Sequence, residues 1–400
     1  MKLNIRKDHI VFFSMLVVLF GNFLNYINTN NVKNSLSITY FFIIFPIFTG
    51  CIVLLPSLKY KYHFKYVPEL RTGVLVGIAF LLISIYKAAK FGLFTMGTLG
   101  EVSRLIVPFI YTFLIINFLS FDEINLLMKI SIVVAWLGFI MSQDFSNISL
   151  STIAAISFEN SYSPFENSEI AMLAYATMAY FIYHWKNNKS WTFISILLTF
   201  LSFKRVFILG VLFLTLITFF RLNDKKVSKL VLWISSIAWI LLANAYMFML
   251  YPQNYFWDID KLHLDINNFS MSRAYRVWYL IQNNYVSYGL GSTTQFLKYG
   301  WFSGTTLELD FIKIIMELGS IGIVIFVIAY YRLVRSNLYA FVLMSFNFLQ
   351  LLMANGLTNY FEWTILLTTV AVIYYEKRPS YESDDINWPF FHVSLMSKNI

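Results

Sequence analysis

The chain has 400 residues, 58% hydrophobic and 13% charged, a balance that a soluble domain could not bury without large exposed apolar patches. It belongs in a bilayer. The net charge of +9 comes mostly from short basic connections between apolar runs, so it speaks of membrane topology and gives no support to a nucleic-acid partner.

Runs of about 20 apolar residues, the length that crosses a ~30 Å hydrocarbon core, recur from end to end. Twelve are expected: 10–28, 36–56, 72–91, 104–121, 124–141, 169–185, 190–203, 206–220, 230–250, 309–331, 338–354 and 361–375. The seventh and eighth are short and parted only by Phe203, Lys204 and Arg205, so a re-entrant pair is the alternative. The fold class is therefore all-α, a polytopic membrane protein in four parts. These are a nine-span bundle over 1–250, a large outer loop over 251–308, a three-span bundle over 309–376 and a tail over 377–400.

Placing both termini inside puts the basic stretches around Lys2, Lys59 to Arg71, Lys186, Arg221 to Lys229, Arg332 and Lys377 in the cytoplasm. The 142–168 loop, without Lys or Arg, then lies outside, as does the 251–308 loop. The basic, then apolar N-terminus reads as an uncleaved first span. Cys51 stands alone and the five His are scattered, so neither a disulfide framework nor a metal centre is expected, and no cofactor.

Along the chain, Lys87 and Lys90 sit one turn apart near the outer end of the third run, followed by Gly92, Gly97, Gly100, Glu101 and Arg104. They either snorkel towards headgroups or line a positive path for an anionic substrate. Glu166, in Ser163-Pro164-Phe165-Glu166-Asn167-Ser168-Glu169, either belongs to a helix cap or faces an outer cavity. Lys204 and Arg205 lie between two apolar runs on the outer side, where adjacent cations are costly; they either bind an anionic partner or are a snorkelling pair.

In the 251–308 loop fourteen of 58 residues are aromatic, as suits either a glycan surface or an interfacial loop. Asp258-Ile259-Asp260 is a weak Asp-x-Asp signal and equally a solvated turn. From Asn268 the pattern turns helical, with Ala274, Val277, Trp278 and Ile281 as an apolar stripe and Arg273 and Arg276 on one flank. Two guanidiniums pointing one way suit a diphosphate or ordinary headgroups. Gly289-Leu290-Gly291 is a weak phosphate-turn signal. Asp310, Lys313 and Glu317, at i, i+3 and i+7, line one helix face that must look towards water or the bundle interior. Glu308 or Asp310 then acts as a base or positions a hydroxyl, or the stripe is a structural ion ladder.

Taken together, Ser272-Arg273 with Trp278, then Gly289-Leu290-Gly291, then Glu308-Leu309-Asp310-Phe311 running to Glu317-Leu318-Gly319-Ser320-Ile321-Gly322, resemble the signature block of the O-antigen polymerase (Wzy-type) and O-antigen ligase superfamily. Phe165-Glu166-Asn167-Ser168 loosely resembles the F.EPS pattern before a span in some exopolysaccharide polymerases. Ser202-Phe203-Lys204-Arg205 is similar to their short basic connection. The position that is His in the ligases is Glu308 here, which favours a polymerase.

The resemblance implies a metal-independent glycosyltransferase of broad GT-C architecture in the bacterial inner membrane. It would move a growing glycan from undecaprenyl diphosphate onto a lipid-linked repeat unit at the periplasmic face, among membrane lipids and with a chain-length regulator protein as a possible partner. Arg273 and Arg276 would stabilise the leaving diphosphate and Glu308 or Asp310 the attacking hydroxyl. Lys204, Arg205, Glu166, Gly289, Gly291, Trp278, Lys90 and Arg104 would bind substrate. A ligase-like lipid-sugar transferase and a lipid-linked oligosaccharide flippase are the alternatives; the sequence lacks the two related halves usual in a transporter.

Overall fold

The structure is a computed structural model that describes residues 7–27, 35–57, 64–91, 95–143, 168–298, 301–302, 305–335, 337–357 and 359–376. Among the described residues every regular element is helical. In chain order these are α1 (Lys7–Ile27), α2 (Ser35–Ser57), α3 (Val67–Phe91), α4 (Met96–Phe118), α5 (Phe121–Ser142), α6 (Ser168–Tyr183), α7 (Lys189–Leu201), α8 (Arg205–Phe219) and α9 (Lys229–Met249). Four short helices follow: α10 (Tyr255–Leu262), α11 (Ile266–Phe269), α12 (Ala274–Gln282) and α13 (Ser292–Lys298). The chain closes with α14 (Asp310–Leu318), α15 (Ser320–Leu333), α16 (Leu338–Met353) and α17 (Tyr360–Tyr375).

Helices α3, α4, α5 and α9 are long and apolar enough to cross a membrane; α6, α7, α8, α15, α16 and α17 are apolar but shorter. The 13 residues of α7 and 15 of α8 reach only about 20 Å each at ~1.5 Å per residue. The turn between them carries Phe203 at a φ of 55°. The run expected as one helix over 309–331 is instead two, α14 and α15, parted at Gly319 with φ 83° and ψ 176°. Those dihedrals lie where an L side chain would be strained.

The ends of the helices are written in the sequence. Ser120 and Glu123 close a capping box on α5, with Ser120 N donating to Glu123 Oε2 at 2.7 Å. Ser228 Oγ accepts from Val231 N at 3.2 Å to start α9, and Asn337 Oδ1 accepts from Ala340 N at 3.1 Å to start α16.

Helix α6 forms the centre of the bundle and is buried from Ile170 to Ile182. It is wrapped by α5, α7, α8 and α17, and α17 packs in turn on α4. Outward positions such as Leu230, Ile234, Ile237 and Leu241 of α9 stay exposed, as expected for side chains that meet lipid. Connections gather at two ends. At one end Lys65 N donates to Asn117 Oδ1 at 2.7 Å, Tyr375 Oη to Glu69 Oε2 at 3.0 Å and Leu338 N to Lys225 O at 2.8 Å. At that end, too, His184 Nε2 lies 3.0 Å from Glu376 Oε2. At the other end lie α10–α13, where α13 packs on α4 and α14 and the loop before it bonds α3, Leu290 N donating to Ser84 Oγ at 3.0 Å.

Close approach of α3 to α4 depends on two glycines one turn apart. A Cβ at Gly73 would stand 2.3 Å from Phe109 Cδ2, and one at Gly77 would stand 2.5 Å from Ile106 Cδ1. Gly73→Val should therefore destabilise the bundle by about 1–3 kcal/mol, seen as a lower melting temperature in detergent. Leu82→Val on the exposed face of α3 should leave that temperature nearly unchanged.

Candidate functional site

The site is built at the end where α10–α13 close over the bundle. The helix expected from Asn268 starts later. Met271 and Ser272 take positive φ values of 53° and 64° after α11, and α12 begins at Ala274. It buries Ala274, Val277 and Leu280, so Leu280 belongs to the apolar stripe while Trp278 and Ile281 stand at its margin. Trp278 meets Tyr255 and Tyr275 edge-on, with ring centroids 5.3 and 5.1 Å away.

This leaves Arg273 and Arg276 facing the same carboxylate. Arg273 Nε is 3.3 Å from Glu308 Oε2 and Arg276 Nη1 is 3.0 Å from Glu308 Oε1. Backbone carbonyls orient both guanidiniums: Arg273 Nη1 donates to Ser270 O at 3.2 Å and Arg276 Nη1 to Thr306 O at 2.7 Å. Glu308 itself sits at φ 54°, and its side chain is 31% exposed against 17% and 19% for the two arginines. Three of the residues proposed for chemistry thus share one partly open cluster.

The fourth, Asp310, turns inward. Its Oδ2 accepts from Gly356 N and Leu357 N, both at 2.6 Å, so it holds the turn between α16 and α17. The polar stripe it starts faces the bundle interior throughout. Lys313 Nζ donates to Glu101 Oε1 at 3.0 Å, and Arg104 Nη1 stands 4.0 Å from the same oxygen. Glu317 Oε2 accepts from Gly291 N at 2.8 Å, while its Oε1 accepts from Thr293 N at 3.0 Å and Thr293 Oγ1 at 2.6 Å.

That last contact sets the role of the Gly-x-Gly turn. The amide of Gly291 donates to Glu317 and that of Leu290 to Ser84 Oγ at 3.0 Å. Thr98 Oγ1 donates to Leu290 O at 2.9 Å. Gly289, at φ 117°, passes so near α3 that a Cβ would lie 2.8 Å from Ser84 Cα. Here the turn docks the loop on the bundle rather than cradling an anion. Lys87 joins the same contact, its Nζ 3.0 Å from Glu317 O. It caps the carbonyl left open where α14 breaks, a third role beside the two expected of it.

The remaining substrate residues are Lys90, Lys204, Arg205 and Glu166. Lys90 is exposed, its Nζ 5.6 Å from the Phe91 ring centroid. Lys204 and Arg205 are partly buried at the start of α8, and Glu166 falls outside the described residues. Asp258 and Asp260 do not converge: Asp258 is buried and Asp260 exposed. Sequence reading passed over Glu362, a carboxylate inside the last apolar run that is 5% exposed in α17. An acid in such a run was the available signal.

No protein-family model, no curated protein and no solved structure matches the chain. The resemblance therefore rests on its own short block of residues.

Two properties of the site are measurable on the folded protein alone. Lys313 and Glu101, with side chains 6% and 12% exposed, form a buried pair. Removing one partner should cost about 3–5 kcal/mol. Lys313→Met should lower the melting temperature sharply, and adding Glu101→Gln should recover part of the loss; two equal and additive losses would rule out the coupling.

Asp258 is fully buried with no hydrogen-bond partner at either oxygen, and that burial pushes its pKa above the ordinary 3.8. Between the unfolded and folded pKa the native chain holds more protons, so stability falls as pH rises from about 4. Asp258→Asn should accordingly gain on wild type by about 1–3 kcal/mol towards neutral pH. Melting curves at pH 4.5 and 7.5 test this, and a difference independent of pH would count against it.

Proposed function

We propose that the chain is a polysaccharide polymerase of the O-antigen type. It would be a metal-independent membrane glycosyltransferase of GT-C-like, twelve-span form, with both termini cytoplasmic and the 251–308 region at the periplasmic face of a bacterial inner membrane. Its substrates are two undecaprenyl-diphosphate-linked glycans. The growing chain leaves one carrier and joins the non-reducing end of the repeat unit on the other.

The observation that carries this reading is the convergence of Arg273 and Arg276 on one carboxylate, at 3.3 and 3.0 Å. A lipid diphosphate leaves as an anion, and its departure needs charge neutralisation more than protonation. Two guanidiniums within reach of the same pair of oxygens give that, because each can grip phosphate oxygens bidentately. Glu308 keeps the pair aligned on one side, so a diphosphate exchanging with that carboxylate meets a fork already oriented. The aromatic surface of α10 and α12 beside it, where Trp278 meets both Tyr255 and Tyr275, suits the C–H faces of sugars. The basic connections at the opposite end of the bundle support the sidedness.

Purified protein in vesicles with a lipid-linked repeat unit should make a ladder of longer glycans. Arg273→Ala and Arg276→Ala should each lower its rate by about 100-fold or more, the scale of losing one transition-state donor, at equal protein level. Movement of the lipid-linked unit across the vesicle without chain growth would instead make the protein a flippase. Transfer to a lipid A acceptor alone would make it a ligase.

A further inference from the structure

The end of the bundle away from the arginine fork gathers a second group of arginines. Arg71 stands exposed in the second turn of α3. Arg332 lies in the last turn of α15, which packs on α3, and Arg335 follows it. Arg332 is repelled by Arg335 and Arg71 and attracted by Glu69. Glu69 attracts Arg335 as well. One of its oxygens accepts from Tyr375 Oη at 3.0 Å, and Tyr66 N donates to that hydroxyl at 2.9 Å.

Three guanidiniums therefore draw on one carboxylate, and the group keeps an excess of positive charge. Like charges held together beside a bilayer are costly until an anion joins them. Guanidinium matches the oxygens of a phosphate in particular, because its planar fork bonds two of them at once.

The surface below the arginines says which phosphate fits. Arg71, Leu75, Ile78, Leu82 and Ile85 recur at i, i+4, i+7, i+11 and i+14 and form one stripe of α3. All five are exposed. From Leu75 to Ile85 the stripe runs about 15 Å at a rise of ~1.5 Å per residue. That is half of a ~30 Å hydrocarbon core, the depth an acyl chain spans in one leaflet. A free phosphate ion makes no use of such a surface, whereas a phospholipid meets both the charge and the stripe. The arginines also select among headgroups, since the ammonium of choline or ethanolamine would add a further cation to the group.

We propose that Arg71, Arg332 and Arg335 hold the phosphate of an anionic phospholipid in the leaflet at that end, its acyl chain lying along the Leu75 to Ile85 stripe of α3. Basic groups between helices at a membrane surface bind anionic headgroups in this way. Glu69 competes with the phosphate for the same guanidiniums and so limits the affinity. The site goes beyond the polymerase reading and does not depend on it.

Native mass spectrometry of the full-length protein released from detergent counts bound lipid as phosphatidylglycerol or phosphatidylcholine is added. Phosphatidylglycerol should bind the more tightly. Arg71→Gln, Arg332→Gln and Arg335→Gln should each weaken its binding about fivefold, the factor for one basic residue at an anionic surface. Glu69→Gln should tighten it by a similar factor, a gain that misfolding does not mimic. Lys186→Gln, at an exposed lysine after α6, should leave it unchanged. Inorganic phosphate, and the glycerophosphoglycerol headgroup without acyl chains, should fail to displace the lipid at equal concentration.

Equal binding of the two lipids, or phosphatidylglycerol binding unchanged in all three arginine variants, overturns the site. Displacement by inorganic phosphate at equal concentration leaves an anion site and overturns the lipid as its occupant. Weaker binding in Glu69→Gln overturns the competition. Elution of the arginine variants at the wild-type position in gel filtration excludes misfolding as the cause of their loss. No glycan enters this measurement, so its failure and a failure to make the polymer ladder are distinguishable.

Discussion

Three ionisable groups on one helix, Asp310, Lys313 and Glu317, are withdrawn from water almost completely, at 3%, 4% and 0% exposure. A charge so placed costs several kcal/mol unless something of opposite sign or a hydrogen-bond donor meets it. The surrounding structure can be understood as the set of partners that meets this demand. Asp310 recruits the turn between α16 and α17, Lys313 recruits Glu101 of α4, and Glu317 recruits the loop at Gly291 and Thr293. One short helix thereby ties the last pair of helices, the α3–α4 pair and the 251–308 loop to each other.

The same demand explains why the chain breaks at Gly319. A continuous helix would hydrogen-bond the Glu317 carbonyl internally. The break leaves it open, and irregular backbone at membrane depth is tolerated only where protein or water satisfies it. Lys87 and Ser287 both donate to that carbonyl. A lysine near the end of a candidate span, which by itself looks like a headgroup contact, is thus part of the break.

Periodicity made some of this legible. The i, i+3, i+7 spacing of Asp310, Lys313 and Glu317 required a face towards water or the bundle interior, and the structure takes the interior. Arg273 and Arg276 could be assigned to one flank because they are three apart. Neither spacing could reveal Glu308 as their partner, since that contact spans 35 residues and no local pattern carries it. The Gly-x-Gly turn was a weak signal for a related reason: the sequence shows a backbone able to approach something closely, while the identity of the neighbour, Ser84 of α3, is tertiary. Of the twelve expected spans, α3, α4, α5 and α9 are long and apolar enough to cross a membrane, while α7 and α8 are apolar but reach only about 20 Å each, in keeping with the re-entrant alternative. The run over 309–331 carries a break that its glycine signals.

Glu308 shows how a local cost is held in place by distant residues. A non-glycine residue at a φ of 54° is strained by about 1–2 kcal/mol, and such strain persists only where the surroundings over-determine it. Here they do. Leu309 is fully buried and Asp310 is fastened to Gly356 and Leu357, which fixes the chain on one side. Arg273 and Arg276 grip the side chain on the other. The arginine fork and the strained carboxylate are therefore one feature, and an anion that competes for the arginines also relaxes the constraint on Glu308. Asp310 lies two residues away and accepts from Gly356 N and Leu357 N, so any such relaxation bears directly on the turn between α16 and α17.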